Sequence, residues 1–225
     1  MTHRAGKIRN VLFDLDGTLV DSSRTIGASI DHALEHVGYG AAVRVPAEEV
    51  IGLPLLDIFC DSYGMSHQLA ESAIAHYREH YDSLQQAGSV IYEDVDEVLS
   101  TLNAGGLSLY VATVKPTEIA KKVLSDLQLA HHFDGVAGAS MGPERRDKTS
   151  IIAHALQKFG LDPLQSLMIG DRDQDIMGAR DNGMSAIAVT YGFGGEAELR
   201  SAQPQQLVDR SMEIVPFVLN PSVAK

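Results

Sequence analysis

The chain is poor in several residue types, and each shortage excludes a class of protein. Its 225 residues include a single cysteine, Cys60, and no tryptophan. One cysteine cannot form an internal disulfide, which excludes a small secreted domain held together by such bonds. No apolar run approaches the ~20 residues that a membrane span needs, and no apolar stretch follows the charged N-terminus as in a signal peptide. We therefore expect a cytoplasmic protein with no membrane partner.

Positive charge is also scarce. The sequence has 18 lysines and arginines against 30 aspartates and glutamates, which gives a formal net charge of −12. Such a field repels nucleic-acid phosphates, so we expect no nucleic-acid partner. The chain is 44% hydrophobic and long enough for one core with a small accessory domain. We expect it to be a monomer or a homodimer.

Short apolar runs alternate with helical periods over most of the chain. Such alternation predicts a parallel sheet covered by helices on both faces. The fold class is therefore α/β, with a doubly wound, Rossmann-like and mostly parallel sheet. The predicted strands are Val11–Phe13, Leu107–Ala112, Gly135–Ala139, Ser166–Ile169 and Ala186–Thr190.

One long interval interrupts this alternation. Residues 19–88 show only helical spacing of apolar residues, which predicts an all-helical insertion after the first strand. The expected division is an α/β core of residues 1–18 and 89–225 with a helical cap of residues 19–88. We expect the cap to move as a lid, with hinges near Val20–Asp21 and near Gln86–Gly88.

Polar side chains follow three of the predicted strands. Asp14 comes directly after the first strand, Thr113 closes the second, and Asp171 follows Ser166–Ile169 across a glycine. In an open parallel sheet, ligands bind at the carboxyl ends of the strands, so these groups meet at one edge. Lys148, near a helix start, can lean over that edge, and Asp175 lies one helical turn after Asp171.

These residue types suit phosphoryl transfer. A carboxylate such as Asp14 can attack phosphorus if a divalent metal and a lysine neutralise the charge. The oxygen ligands of Asp14 and Asp171 favour Mg²⁺. Asp16, two residues after Asp14, is placed to protonate the leaving oxygen and later to deprotonate a water. The hydroxyl of Thr113 and neighbouring backbone N–H groups can bind the phosphoryl oxygens.

Four motifs occur in order along the chain: Asp14-Leu15-Asp16-Gly17-Thr18-Leu19, Val111-Ala112-Thr113, Lys148, and Gly170-Asp171-Arg172-Asp173-Gln174-Asp175. They resemble those of the haloacid-dehalogenase superfamily, in particular its phosphoglycolate-phosphatase-like branch with a helical cap. The resemblance runs nearly end to end and implies a phosphatase acting on a small-molecule phosphate ester.

The resemblance also implies a role for each motif residue. Asp14 would be the nucleophile that forms an aspartyl-phosphate, and Asp16 the general acid and base. Mg²⁺ would be held by Asp14, Asp171 and the main-chain carbonyl of Asp16. Asp175 would orient Lys148 and the water on the metal.

The same resemblance implies how the phosphoryl group is held. Thr113, the N–H of Val114 and Lys148 would bind it, together with Asp14 and Asp16. Val114 departs from the family pattern, because many relatives have Asn or Ser there. This substitution removes a side-chain donor and keeps the backbone N–H.

Three other functions remain open at this stage. A β-phosphoglucomutase-like phosphomutase has the same nucleophile and the same second aspartate. A response-regulator receiver also combines Asp, Thr, Lys and Mg²⁺, but its acceptor follows the third strand and no cap interrupts its chain. A binding protein without activity is the third, and the complete set of carboxylates with Lys148 argues against it.

Some motifs point elsewhere or remain unassigned. His76-Tyr77-Arg78-Glu79-His80 spells the zinc-peptidase pattern H-x-x-E-H, but it lies in the expected cap, and a surface helix with two histidines explains it better. His131–His132 are interpreted as loop residues. Gly192-Phe193-Gly194-Gly195 is not a dinucleotide-binding motif and is interpreted as a flexible loop near the catalytic edge.

The charge of the expected cap bears on the substrate. Residues 21–88 contain three arginines, no lysine and ten acidic residues, a formal charge of −7. A leaving group with its own carboxylate needs a cation to hold it. Only Arg44 or the core residue Lys115 is placed to supply one, so we expect a neutral leaving group such as a nucleoside or sugar.

Overall fold

The computed structural model describes residues 7–39, 45–84, 88–140 and 144–219. The chain forms two compact units, of which unit 1 comprises Met1–Val20 and Ile91–Lys225 and unit 2 comprises Asp21–Val90. Both unit boundaries fall two residues after those expected from the sequence. Arg44 and the expected hinge residue Gln86 lie outside the described residues.

Unit 1 is built on a parallel sheet of six strands. Its strands are β1 (Asn10–Phe13), β4 (Ser108–Pro116), β5 (Gly135–Ala139), β6 (Ser166–Gly170), β7 (Ser185–Val189) and β8 (Gln206–Val208). Two short strands that lie between β1 and β4 in the chain, β2 (Val20–Asp21) and β3 (Val90–Ile91), form a separate pair. The order across the large sheet is β5-β4-β1-β6-β7-β8, and every neighbouring pair is parallel. The first strand of the chain therefore lies in the middle of the sheet.

Helices cover both faces of this sheet. The helices of unit 1 are α5 (Val95–Ala104), α6 (Thr117–Asp126), α7 (Lys148–Phe159), α8 (Asp173–Asp181), α9 (Glu196–Ala202) and α10 (Ile214–Leu219). On one face α5, α6 and α10 pack with Val11 and Phe13, and on the other α7, α8 and α9 pack with Leu12. Alternate residues of β1 thus enter opposite cores, as a strand buried on both faces requires. The predicted doubly wound α/β fold is confirmed.

The five predicted strands are all present, within a few residues of their expected ends. β8 was not predicted, because only one of its three residues is fully buried and no apolar run marks it. β2 and β3 have two residues each, too few for a period-two pattern.

Unit 2 is mostly helical in its described part. Its helices are α1 (Ser23–His36), α2 (Ala47–Val50), α3 (Leu55–Asp57) and α4 (His67–Ser83), with a π-helical turn at Ile58–Ser62. The two long helices pack on each other through buried apolar side chains such as Ile30 of α1 and Ala73 of α4. Ser66 caps α4 by accepting a hydrogen bond from the Leu69 N–H. No helix in the described residues is long and apolar enough to cross a membrane.

Candidate active site

Asp14 lies at the carboxyl end of the central strand of the sheet. Its N–H donates to the Ile169 carbonyl at 2.9 Å, which continues the pairing of β1 with β6 beyond the strand end. On the other side β1 pairs with β4, in a register that sets Phe13 opposite Val111. Asp14 is 1% exposed, so its carboxyl group lies among three strands away from bulk water.

Lys148 reaches this carboxylate from the first turn of α7. Asp147 caps the helix by accepting a hydrogen bond from the Ser150 N–H at 2.8 Å, which fixes where the helix begins. The Lys148 Nζ atom lies 2.9 Å from Asp14 Oδ1 and donates to the Ala112 carbonyl at 3.0 Å. Burial acts to lower the pKa of Lys148, but Asp14 and Asp175 outweigh burial and raise that pKa above its usual value. The two carboxylates therefore favour the charged form of the lysine.

Asp175 has two structural tasks in the same cluster. One oxygen accepts the Arg172 N–H at 3.1 Å and so caps α8. The other lies 2.7 Å from Lys148 Nζ. Burial raises the pKa of Asp175, Lys148 opposes this effect, and Asp14 adds to it, with a net upward shift. Asp175 and Asp14 thus contact the same ammonium from two sides of the cluster.

Asp171 completes a group of three buried carboxylates. Its Oδ1 accepts the Thr18 hydroxyl at 3.1 Å, and its Oδ2 accepts the Phe193 N–H at 2.8 Å. Burial raises the pKa of Asp171, and the charges of Asp14 and Asp175 raise it further. Buried carboxylates that lie close together are costly to keep ionised unless positive charge balances them. A site with three of them therefore favours a bound cation.

This charge imbalance fits a divalent cation. Carboxylate oxygens of Asp14, Asp171 and Asp175 lie within 4.8 Å of one another, and all three residues are buried. Among the described residues, the Lys148 ammonium contacts two of these carboxylates, Asp14 and Asp175. The donor set contains only oxygen and offers the hard ligands that Mg²⁺ prefers.

Two glycines allow Asp171 to fit between neighbouring backbone segments. Gly17 has a φ of +90°, and a Cβ atom there would lie 2.7 Å from Asp171 Oδ1. A Cβ atom on Gly192 would lie 2.6 Å from Asp171 Oδ2. The loop at Gly192 thus packs against a site carboxylate and holds it by a main-chain hydrogen bond from Phe193, so it lies near the catalytic edge as expected.

Asp16 and Thr113 belong to a second contact group beside the carboxylates. The Lys115 Nζ atom contacts both carboxylate oxygens of Asp16, at 2.8 and 2.7 Å. The Lys115 N–H donates to the Thr113 hydroxyl oxygen at 3.2 Å. Val114 lies between Thr113 and Lys115 in the sequence, and its half-buried side chain packs on the hydrophobic core that contains Leu12. The site residues predicted from the sequence therefore fall into two adjacent groups.

Several contacts in the site were not expected. Lys115 was expected in the core, and its contact with Asp16 was not predicted, although its position two residues after Thr113 on one strand was a usable signal. Tyr191, whose hydroxyl donates to the Thr18 carbonyl at 3.0 Å, had no such signal. The Phe193 N–H, which donates to Asp171, is a backbone group present in almost every residue, so the sequence does not indicate that this one reaches the site.

The other polar motifs lie elsewhere. His76 and His80 lie on α4 of unit 2, and the three-carboxylate group contains neither. His132 is buried in a 3₁₀ turn, where Nε2 lies 2.8 Å from Asp96 Oδ1 and the carbonyl accepts from the Asn103 amide. This pairing explains His132 as part of the fold.

Proteins of known name resemble this chain over most of its length. A 5'-nucleotidase of Pseudomonas aeruginosa is 38% identical over 204 residues, which are 91% of this chain and 92% of that protein. A phosphoglycolate phosphatase of Vibrio vulnificus is 27% identical over 221 residues, 95% of this chain and 97% of that protein. The tyrosine-protein kinase PtkA of Mycobacterium tuberculosis is 35% identical over 184 residues, 82% of this chain, which spans only 62% of that protein.

A solved structure agrees with these relatives. The crystal structure of a predicted phosphatase from Clostridium acetobutylicum superposes with a TM-score of 0.90 at 32% identity, covering 95% of this chain and 99% of that one. The model of the family described as haloacid dehalogenase-like hydrolase matches residues 11–189, which include the carboxylates, Lys148 and the strands that carry them. The chain therefore belongs to the haloacid dehalogenase-like hydrolase family.

Proposed function

We propose that this chain is a Mg²⁺-dependent phosphatase that hydrolyses a small-molecule phosphate monoester through an aspartyl-phosphate on Asp14. The observation that carries the proposal is the placement of Asp14 at the end of the central strand, where its Oδ1 lies 2.9 Å from Lys148 Nζ. Relatives named as phosphatase and nucleotidase support the reaction class.

In the first step, Asp14 acts as the nucleophile. An oxygen of Asp14 forms a bond to phosphorus as the bond from phosphorus to the ester oxygen breaks. Lys148 stays fixed by Asp175 and the Ala112 carbonyl, so its charge is in place before substrate arrives. Thr113 and the N–H of Val114 would bind phosphoryl oxygens.

Asp16 would move the protons. It donates one to the departing ester oxygen and then accepts one from the water that attacks phosphorus, which releases phosphate and restores Asp14. Lys115 holds both oxygens of Asp16 in this structure. Protonation of Asp16 requires this ion pair to loosen, so we expect Lys115 to adjust when the ester binds.

Asp14, Asp171 and the main-chain carbonyl of Asp16 would hold Mg²⁺, with Asp175 beside them. When bound, the ion neutralises charge on the carboxylates and on the phosphoryl oxygens. The chain itself orients the ligand side chains, since Thr18 and Phe193 fix both oxygens of Asp171.

For the substrate we propose a leaving group without a charge of its own, such as a nucleoside. Lys115, one of the two cations considered for anchoring a carboxylate, contacts Asp16 instead. Residues 21–88 carry a formal charge of −7, which disfavours an anionic leaving group. The 38% identity to a protein named 5'-nucleotidase supports the same choice.

A second candidate is transfer of the phosphoryl group to a hydroxyl instead of to water. The similarity to a protein named tyrosine-protein kinase favours this candidate, and the phosphomutase alternative belongs to the same class. Both would use Asp14 as the carrier, and they differ from hydrolysis only in the final acceptor.

A panel of phosphate esters assayed in Mg²⁺ tests the proposal. It includes nucleoside 5'-monophosphates, sugar phosphates, phosphoglycolate and phosphotyrosine, with release of inorganic phosphate and formation of new esters both measured. We expect phosphate release, with the highest kcat/KM for a nucleoside or sugar ester. Asp16→Asn should lose about 10²–10⁴-fold in kcat.

Other outcomes are informative. Formation of a new ester without phosphate release would favour the transfer candidate. A preference for phosphoglycolate that Lys115→Ala abolishes would show that one cation suffices to anchor the leaving group. Activity on no ester, with Mg²⁺ present and the fold intact, would contradict the proposal.

A further inference from the structure

Unit 2 is rich in histidine. Five of the nine histidines of the chain fall within residues 21–88. Four of them form two pairs with a spacing of four residues, His32 and His36 on α1 and His76 and His80 on α4. Residues four apart lie on the same face of a helix, so each pair presents two imidazoles to one side.

The packing of α1 against α4 brings the two pairs together. The ring centroids of His32 and His36 are 3.9 Å apart, and those of His32 and His80 are 4.3 Å apart with the rings stacked. His36 and His76 follow at 5.0 Å. The four rings therefore form one continuous cluster on two helices, outside the site described above.

The hydrogen bonds of His36 define its protonation. Its Nδ1 lies 2.8 Å from the carbonyl oxygen of His32, four residues earlier. A carbonyl oxygen only accepts, so Nδ1 carries the proton, and Nε2 of the neutral ring keeps its lone pair. No other hydrogen bond reaches this ring from the described residues.

His80 has the same arrangement. Its Nδ1 lies 3.2 Å from the Ser29 hydroxyl oxygen, and that hydroxyl donates its single proton to the Thr25 carbonyl at 2.8 Å. The Ser29 oxygen must therefore accept from His80 Nδ1–H, which again leaves Nε2 with a lone pair. Histidines that bind metals commonly donate their second ring N–H to a carbonyl or another outer partner in this way.

The form of imidazole that binds a metal ion is the neutral one, which donates from one ring nitrogen and keeps a lone pair on the other. The hydrogen bonds of His36 and His80 assign the lone pair to Nε2 in both rings.

We propose that His32, His36, His76 and His80 form a binding site for a divalent transition-metal ion of the Zn²⁺ type, which links α1 to α4. Imidazole nitrogens suit Zn²⁺, Ni²⁺ and Cu²⁺, whereas Mg²⁺ prefers oxygen. The site is thus chemically distinct from the carboxylate cluster of unit 1 and does not depend on the proposed phosphatase activity.

Binding requires a local change in the side chains. In the described residues the ligand atoms of two groups lie within 4.8 Å of one another, Asp14–Asp171–Asp175 and Asp96–His131–His132, and the four rings are not among them. The hydrogen bonds of Nδ1 hold the rings of His36 and His80, so the change falls on His32 and His76, whose rotation about side-chain bonds would turn their ring nitrogens toward an ion bound at Nε2 of the other two. His36 is exposed and the other three rings are partly exposed, so such rotation is sterically possible.

Equilibrium dialysis against Zn²⁺ tests the proposal. The protein should carry no histidine tag, and Mg²⁺ should be in excess so that the carboxylate site is saturated. We expect the wild type to bind one Zn²⁺ ion tightly. The double variant His36→Gln/His76→Gln removes two ligands and should bind Zn²⁺ at least about 100-fold more weakly, because loss of a residue that only hydrogen-bonds a ligand already weakens metal binding by about 10–100-fold. Co²⁺ gives an absorption band that reports the same site.

His67→Gln is the matched control, because His67 lies on α4 beside Glu71 and outside the cluster. It should bind Zn²⁺ as the wild type does. Equal affinity in the double variant, no tight binding by the wild type, or loss of binding in His131→Gln instead would overturn the proposal.

Ser29→Ala provides a second measurement that does not remove a ligand. Without the hydroxyl, His80 loses the acceptor that fixes its protonated nitrogen. Zn²⁺ affinity should fall by about 10–100-fold while the fold, judged by circular dichroism, is retained. Nitrogen chemical shifts of the four rings should move on Zn²⁺ addition, and unchanged shifts would contradict the assignment.

Discussion

At the residue scale, the position of each proton and each charge in the site depends on its nearest partner. Asp14 and Asp175 share the Lys148 ammonium, whereas the hydrogen bonds that Asp171 accepts in the described part of the chain come from the neutral Thr18 hydroxyl and Phe193 N–H. Lys148 opposes the effect of burial on the pKa of Asp175, and no such cation among the described residues acts on the pKa of Asp171. Asp171 is therefore the acid that gains most from a bound cation.

Replacement of Asp14 by Asn should separate chemistry from folding. The amide has nearly the same shape but cannot attack phosphorus, so turnover should fall by at least about 10⁴-fold. Thermal unfolding should show that the fold is retained, because one of three repelling carboxylates is removed. Wild-type turnover in this variant would contradict the covalent mechanism.

Lys115→Met should destabilise the protein by leaving Asp16 without its cation. Both side chains are 8% exposed, and removing one partner of a buried ion pair costs about 3–5 kcal/mol. Urea denaturation measures this loss. The double variant Lys115→Met/Asp16→Asn should recover part of it, and strictly additive losses would show that the pair is not coupled.

At the element scale, the loop that follows β7 acts as a wall of the site. It runs from Thr190 to Gly195, the residue before α9. Its backbone at Gly192 and Gly194 lies so close to Asp171 that a side chain at either position would overlap that residue. The loop therefore positions a carboxylate through its main chain.

Gly192→Ala should disturb this contact. The added methyl group would overlap Asp171, and overpacking of this kind costs about 1–3 kcal/mol. We expect lower stability in urea and a weaker stabilisation by Mg²⁺. Gly195→Ala is the control in the same loop, because a Cβ atom there meets nothing within 4 Å, and an equal loss in both variants would contradict the role of Gly192.

Prediction from the sequence succeeded where a feature depends on local pattern. Apolar runs located the five longer strands of the sheet, and the motif spacing located Asp14, Lys148 and Asp171 at one edge. It failed where a feature depends on the packing of distant elements. The spacing of Lys115 after Thr113 indicates which edge of the sheet the lysine faces, but its pairing with Asp16 depends on how the loop after β1 folds. The meeting of the histidine pairs depends on the packing of α1 against α4, which no spacing within one helix contains.

At the scale of the whole molecule, negative charge dominates. The formal net charge is −12, and the buried carboxylates add repulsion inside the core of unit 1. Repulsion of both kinds grows as pH rises, so cations should stabilise the protein most in alkaline solution.

The response to Mg²⁺ should therefore depend on pH. Burial and neighbouring charges raise the pKa of Asp171 to about 8, from about 3.9 for an ordinary aspartate. The folded protein holds protons that the unfolded chain releases, so without metal its stability falls as pH rises between these values. Mg²⁺ replaces those protons, and its stabilising effect at about pH 8 should exceed that at about pH 5 by at least about 1 kcal/mol, the equivalent of roughly one pKa unit.

Thermal unfolding in EDTA and in Mg²⁺ across this range measures the effect. Asp171→Asn should show a weaker pH dependence in EDTA and little response to Mg²⁺, because the acid that gains most from the ion is absent. An equal Mg²⁺ effect at every pH in the wild type would contradict the linkage.

The central position of β1 has a consequence for folding during synthesis on the ribosome. Both neighbours of β1 come later in the chain, β4 at Ser108–Pro116 and β6 at Ser166–Gly170. At about 5–20 residues per second, synthesis reaches β6 roughly 8–30 seconds after β1. During that time Val11–Phe13 lacks the hydrogen bonds to at least one of its two neighbouring strands. Asp14 lacks its ion pair until Lys148 has been synthesised. An apolar strand in this state is a natural client for a chaperone that holds nascent chains.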